Sequence, residues 1–226
     1  MKLGPPTRRL RVPLPDPLKK GPVMTRPTVV VLAAGQGSRF EGPAHKLQQR
    51  LGKLSVLGST LRNAIESHLP LIVVTTEALA GEAAALVPSR DIVVLRDGTP
   101  MGMGHSIAAG VAARANAPGW LLLPADMPLV RPATLLAVAN ALAHHAVAYA
   151  QHQGRQGHPV GFAAELYSEL MMLSGDAGAR RIVARYPAVG VDVDDPGVLM
   201  DVDTVDDLAS VRAMGAAQER RPGAVD

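Results

Sequence analysis

Cysteine is absent from the 226 residues. That excludes disulfides, thiolate zinc sites and thiol nucleophiles, and it fits a reducing, cytoplasmic setting. Aromatic side chains make up only 3% of the chain, few for the stacking platforms on which single-stranded nucleic acids bind. No apolar run approaches the roughly 20 residues of a membrane-spanning helix, so no membrane partner is expected. What is present is 47% hydrophobic content in a length suited to one domain, ample for a single core.

A pI near 9.5 invites a nucleic-acid reading, but the charge is unevenly placed. Residues 1–26 hold seven of the 23 Lys and Arg and a single acid, Asp16, so that 16 cations face 19 acids in the rest. The body is mildly acidic, and no nucleic-acid partner is expected. Six prolines without periodicity make residues 1–26 read as a disordered, basic, Pro-rich arm. Arg8-Arg9 lacks the apolar segment that an export signal requires. Met24, directly ahead of the first apolar run, offers an alternative start of translation. The expected domain spans 27–213, with a frayed tail over 214–226.

Strand-like runs recur at 28–33, 71–75, 92–95, 120–123 and 147–150, separated by helix-like stretches at 56–67, 77–86, 105–116 and 132–144. Such alternation predicts an α/β fold, a mostly parallel sheet with helices on both faces. The loops after Ala33, Thr75, Leu95 and Leu123 then share the rim where ligands bind. Beyond Ala150, residues 151–162 read as a hairpin-like lid and 163–173 and 176–186 as helices. Residues 189–193 and 198–202 read as strands, and Thr204 to about Arg212 as a final helix.

Val29 to Lys46 is the organising stretch. A β-branched apolar run breaks into Gly35-Gln36-Gly37 and then presents Arg39 and Lys46, the pattern of a buried strand feeding a phosphate-holding loop. Glycines admit positive φ and let backbone N–H groups approach phosphate oxygens. A P-loop is ruled out, because neither glycine stands in G-x-x-x-x-G-K-[ST] relation to a Lys-Ser or Lys-Thr pair. A dinucleotide turn fits poorly, since Phe40 stands where a third glycine belongs and Thr75-Thr76 ends the next strand where an acid belongs. A plain connecting turn is the remaining alternative.

Leu32-Ala33-Ala34-Gly35, Gly37-Ser38-Arg39 and Lys46 together resemble the opening of MobA-like nucleotidyltransferases. Four later stretches match that family in order: Gly102 to Gly110, Leu122 to Leu129, Gly157 to Val160, and Leu173 to Arg180. Asp201 to Leu208 closes the set. The resemblance covers about Pro27 to Ala213. It implies a Rossmann-like three-layer sheet of the nucleotide-diphospho-sugar transferase (GT-A-like) type. It also implies transfer of a nucleoside monophosphate to molybdopterin or a related phosphate acceptor, with pyrophosphate released.

Both partners of such a transfer are anionic, so the site must neutralise charge, which Mg²⁺ on one or two carboxylates does well. By resemblance Asp126 ligates the magnesium; its bland alternative is a turn residue in Pro-Ala-Asp-Met-Pro. Asp203 completes the site by resemblance, while Asp201, Asp203 and Asp206 also suit a helix cap beside Thr204. The loop holding Gly98, Gly102 and Gly104 opens a helix at Ser106, and by resemblance it contacts the nucleotide. His158 reads either as an acceptor contact or as a turn residue before Pro159. Asp176 and Arg180 lie by resemblance near the cleft, or else cap and solvate a helix. Arg39, Lys46 and Asp126 are the expected catalytic set, with Leu32, Ala33, Ala34, Gly35, Gly37, Ser38 and Thr75 also facing the nucleotide.

Family members that transfer GMP read Leu-Ala-Gly-Gly, whereas this chain has Ala34 and so resembles the cytidylyl branch. CTP, molybdopterin or its molybdenum-loaded form, and a client enzyme of the xanthine-dehydrogenase type are the partners this implies. Another phosphate acceptor, such as a sugar or isoprenoid phosphate, is the next reading. A non-catalytic carrier that inserts the cofactor is the reading of a different class. Trp120, Phe162 and Tyr167 are the aromatic residues left open as a pterin platform.

Overall fold

The computed structural model describes residues 26–37, 39–42, 44–96, 102–176 and 178–219. Residues 1–25 of the expected arm, together with Ser38 and Gly98, lie outside those residues. In chain order the elements are β1 (Thr28–Ala33), β2 (Arg50–Leu51), β3 (Leu54–Ser55), α1 (Val56–Glu66), β4 (Leu71–Thr76), α2 (Glu77–Ala84), β5 (Ile92–Leu95) and α3 (Met103–Ala112). They continue with β6 (Gly119–Pro124), α4 (Pro132–Ala141), β7 (Val147–His152), β8 (Arg155–Ala163), α5 (Tyr167–Met171), α6 (Arg180–Arg185), β9 (Ala188–Asp192) and α7 (Val205–Glu219).

β1 sits inside a seven-stranded sheet of order β5-β4-β1-β6-β8-β7-β9. It is parallel to both neighbours, Val30 lying opposite Ile72 on one side and Leu122 on the other. Successive residues of β1 feed two cores. Val29, Val31 and Ala33 pack with Leu57 and Leu61 of α1 and Val138 of α4. Val30 and Ala34 pack with Ile107 and Val111 of α3 and Leu170 of α5. A strand buried on both faces shows a continuous apolar run rather than alternation. The result is the expected three-layer, mostly parallel α/β architecture.

β8 departs from the expected lid. It runs antiparallel between β6 and β7, with Trp120 opposite Phe162 and Val147 opposite the same Phe162. The 151–162 segment is therefore an inner hairpin of the main sheet. Trp120 and Phe162 are fully buried, and Trp120 lies 5.8 Å from Tyr167 between ring centroids. Trp120 and Phe162 belong to the core and are not a pterin platform.

Residues 198–202 are not a strand. Pro196–Leu199 forms a 3₁₀ turn because the buried Asp195 folds the chain around its own carboxylate. Asp195 accepts from the Gly197 N–H at 3.1 Å, the Arg131 N–H at 2.9 Å and the Thr134 hydroxyl at 2.6 Å. These last two contacts tie that turn to the start of α4. The expected helices over 163–173 and 176–186 contract to α5 and α6, whereas α7 continues past Arg212 to Glu219. Met214 packs against the first core, which gives the extra turn a reason to form. Among the described residues no helix is long and apolar enough to cross a membrane.

Candidate active site

Leaving β1, the chain stays anchored to the sheet: the Ala125 N–H donates to Leu32 O at 3.1 Å, so the β1 and β6 exits lie side by side. Gly37 then takes φ +63°, the left-handed region where a Cβ is costly. A Cβ there would also come within 3.3 Å of both His45 and Lys46. His45 closes the loop. Its Nδ1 accepts from the Leu47 N–H at 3.2 Å, capping the 3₁₀ turn Lys46–Gln48, which leaves Nε2–H to donate to Gly35 O at 3.0 Å. The glycine loop and Lys46 are thereby held as one unit.

Lys46 points inward. Its Nζ donates to Asp126 Oδ2 at 2.6 Å and to Asp203 Oδ1 at 2.7 Å, and Arg39 reaches Asp203 Oδ2 at 2.8 Å. Burial works against the charge on Lys46, but Asp126 and Asp203 together outweigh it and hold its pKa above the ordinary ammonium value. The closing Asp-rich stretch divides its labour. Asp207, not Asp206, forms the capping box: its Oδ2 accepts from the Thr204 N–H at 2.8 Å and Thr204 Oγ1 accepts from the Asp207 N–H at 3.2 Å. The Asp203 carboxylate is left for the cleft. The Val202 N–H donates to Asp126 O at 3.0 Å, which fixes the two acids in mutual register.

The opposite wall comes from α3, β8 and the turn before α6. Gly102, at φ +133°, precedes α3, and a Cβ on it would lie 2.3 Å from Gly175 O. The Gly104 N–H donates to Gly175 O at 2.8 Å, and the Gly175 N–H donates to His105 Nδ1 at 3.0 Å. The helix start and the 174–176 turn are therefore bound together. Ser106 is buried, its hydroxyl donating to Gly102 O at 3.2 Å. The Nδ1 of His158 is sealed from solvent without a partner. Burial, reinforced by Arg180 and opposed by Asp126 and the Leu122 backbone, holds the imidazole below its ordinary pKa.

Between these walls lies a cleft of about 850 Å³, large enough for a nucleotide and part of an acceptor. Of the residues expected from sequence, it gathers Leu32, Ala34, Gly35, Gly37, Arg39, Lys46, Ser106, Asp126, His158, Asp176, Arg180 and Asp203. Ala33 and Thr75 are buried and do not line it; Ala33 faces the first core because it alternates with Leu32 and Ala34. Gly104 packs behind the lining, against Ser174. The cleft also takes in Arg155, Gln156 and Asp201, which the sequence did not single out as ligand contacts. For Arg155 and Gln156 the signal was the polar start of an otherwise buried strand. Desolvation, with Asp203 and Asp126 close by, pushes the Asp201 carboxyl above its ordinary value.

Asp126 and Asp203 fit a divalent cation. Both turn a carboxylate oxygen to one positive centre, the Lys46 ammonium, and Asp126 Oδ1 is buried with no partner at all. Among the described residues no cluster of three or more His, Cys, Asp or Glu forms a metal site. Two carboxylates completed by substrate phosphates is the arrangement that Mg²⁺ or Mn²⁺ takes.

Known proteins resemble this chain in sequence and, where solved, in architecture. The "Purine catabolism protein PucB" of Bacillus subtilis is 30% identical over 197 residues, covering 81% of this chain and 94% of its own. The "Bifunctional protein GlmU" of Cereibacter sphaeroides is 34% identical over 131 residues, 55% of this chain but only 28% of that longer protein. The crystal structure of Rv0371c from Mycobacterium tuberculosis H37Rv superposes with a TM-score of 0.72 at 30% identity, over 84% of this chain and 99% of its own. The same protein is known as a manganese complex, with a TM-score of 0.71. Residues 29–189 match the model of the MobA-like NTP transferase domain, and with the strand order and cleft described above, the chain belongs to the MobA-like NTP transferase family, a family of nucleotidyltransferases.

Proposed function

We propose that the protein transfers CMP from CTP to the phosphate of molybdopterin, releasing pyrophosphate, in a Mg²⁺-dependent reaction. The observation that carries this reading is the Lys46 clamp on Asp126 and Asp203 at the exit of a glycine loop. It sets two cations and two carboxylates where a triphosphate and a phosphate must meet.

The chain's own residues have separable tasks. The glycine loop offers backbone N–H groups to the triphosphate, and Arg39 and Lys46 neutralise its charge. Asp126 and Asp203 would hold a divalent cation, which when bound would supply further charge neutralisation. An oxygen of the acceptor phosphate attacks the α-phosphorus as the bond to the bridging β-phosphate oxygen breaks, and pyrophosphate leaves with that electron pair. The acceptor is already ionised, so no strong base is needed. His158, Arg155 and Arg180, across the cleft, orient it.

Ala34, nearly buried and lining the cleft, supports the choice of CTP, since a methyl there would crowd the larger purine. The likeness to a protein named for purine catabolism supports a client of the xanthine-dehydrogenase type, since xanthine is itself a purine. Rv0371c, crystallised with manganese, supports the metal.

Pyrophosphate release from CTP and from GTP, with Mg²⁺ and molybdopterin, tests the reading. Release with CTP alone is expected, and Ala34→Gly is expected to raise GTP use relative to CTP. Release only with GTP would move the chain to the guanylyl branch. Release with neither, from folded protein and intact acceptor, would favour another phosphate acceptor or the carrier.

A further inference from the structure

Lys46 occupies a position that two roles compete for. Its side chain is 11% exposed and its ammonium lies 2.6 Å and 2.7 Å from two carboxylates, one just past β6 and one just ahead of α7. Among the described residues no other side chain bridges the Asp126 and Asp203 carboxylates. Arg39 touches only Asp203 and is 78% exposed, so solvent weakens its hold. Asp126 Oδ1, buried and unpartnered, still faces inward with a free acceptor. Gly35 and Gly37 of the same loop line the same cleft.

We propose that Lys46 is the exchangeable occupant of the cation seat between Asp126 and Asp203: it holds the two acids together in the resting enzyme and leaves for the nucleotide phosphates when a divalent cation takes its place. This rests on the nucleotidyl-transfer reading above. The physical reason is charge crowding. An ammonium and a dication drawn to the same two carboxylate oxygens repel each other strongly in a part-buried site, which favours one occupant at a time. Lysine suits the exchange, being a compact point charge on a flexible four-carbon stem. An incoming triphosphate gives the displaced ammonium a new anionic partner. Nucleotide and metal therefore each raise the affinity of the other by the same factor. Metal alone binds weakly, because it must displace Lys46 before a triphosphate is there to receive the ammonium.

The test uses the full chain and Mn²⁺ as the probe, with free Mn²⁺ read from its paramagnetic resonance signal. Lys46→Met removes the competing charge. Folded K46M is expected to bind Mn²⁺ without nucleotide roughly tenfold tighter than wild type, within the range usual for coupled sites. The gain in Mn²⁺ affinity that CTP confers on wild type is expected to shrink in the variant. Unchanged or weaker Mn²⁺ binding by K46M overturns the exchange.

A second measurement does not depend on the variant folding. In wild type, reductive methylation mapped by peptide mass spectrometry is expected to find Lys46 protected without metal and several-fold more reactive with Mn²⁺ alone. Indifference of Lys46 to Mn²⁺ overturns the proposal. A wild type that releases pyrophosphate from CTP yet shows neither effect loses the exchange and keeps the transfer. One that shows both effects but turns over no nucleotide loses the transfer reading instead.

Discussion

On the wall that carries the glycine loop, Arg39, Lys46, Asp126 and Asp203 are already engaged with one another at 2.6–2.8 Å. Across the cleft, Arg155, Asp176 and Arg180 are exposed and, among the described residues, their side chains make no hydrogen bond or ion pair. The first wall is preorganised: its charges hold their geometry before any ligand arrives, at the cost of an ion network that a ligand must open. On the second wall the backbone is tied together, but these three exposed side chains are free to adapt and give up little to do so. On the proposed reaction, a cleft built this way would keep the reacting centre fixed and let the acceptor side adjust. Losses on the first wall are then expected to lower turnover, and losses on the second to weaken acceptor binding.

Breaking the first wall has the largest expected effect. Asp126→Ala should lower CTP-dependent pyrophosphate release by roughly a thousandfold or more. Circular dichroism and cooperative thermal unfolding should stay close to wild type, because Lys46 keeps Asp203. Near-normal turnover in that variant would remove Asp126 from the machinery. On the second wall, Arg180→Ala should raise KM for the acceptor about tenfold, the loss of one charge-assisted hydrogen bond of ~1.5 kcal/mol, with KM for CTP unchanged. A matching rise in both constants would erase the distinction between the walls.

Smaller effects sharpen it. Thr204→Ala breaks the capping box without touching the ion network, and urea unfolding should report a loss of about 1 kcal/mol with kcat little changed. A large fall in kcat would mean that the cap itself positions Asp203. His158 is the smallest and is read by pH. Its imidazole is held below the ordinary value of 6.5, so on acidification the unfolded chain takes up the proton first. The stability it contributes is complete above 6.5 and declines as pH falls from there toward the depressed native pKa. His158→Gln should flatten that part of the pH–stability curve; an unaltered slope would assign the acid sensitivity to other groups.

Much of the fold was legible because the relevant signals are local. β1, β4, β5 and β6 announced themselves as apolar runs of strand length, β-branched in all but β6, and α1 to α4 as the stretches between them. β8 was missed because its glycines and polar start look like a loop. In the sheet, β6 and β7 supply its pairing from both sides, and Gly157 lies so near Val198 O that a Cβ would stand 2.2 Å from it. Residues 198–202 failed in the opposite direction. Their composition suits a strand, but the buried Asp195 turns the chain instead, and a carboxylate's burial is invisible to any local pattern.

The sequence by itself determined the alternation of strands and helices, the glycine loop with its two cations, and the ordered acidic motifs, since each depends on residues near one another in the chain. Only the tertiary structure decided what those motifs do. It brought Lys46 to Asp126 and Asp203 across separations of 80 and 157 residues, assigned Asp207 rather than Asp206 to the cap, and sent Ala33 and Thr75 into the interior. The physical reason is that a contact between distant residues depends on where the sheet carries them. A cap or a strand needs only its neighbours; a cation seat needs the whole fold.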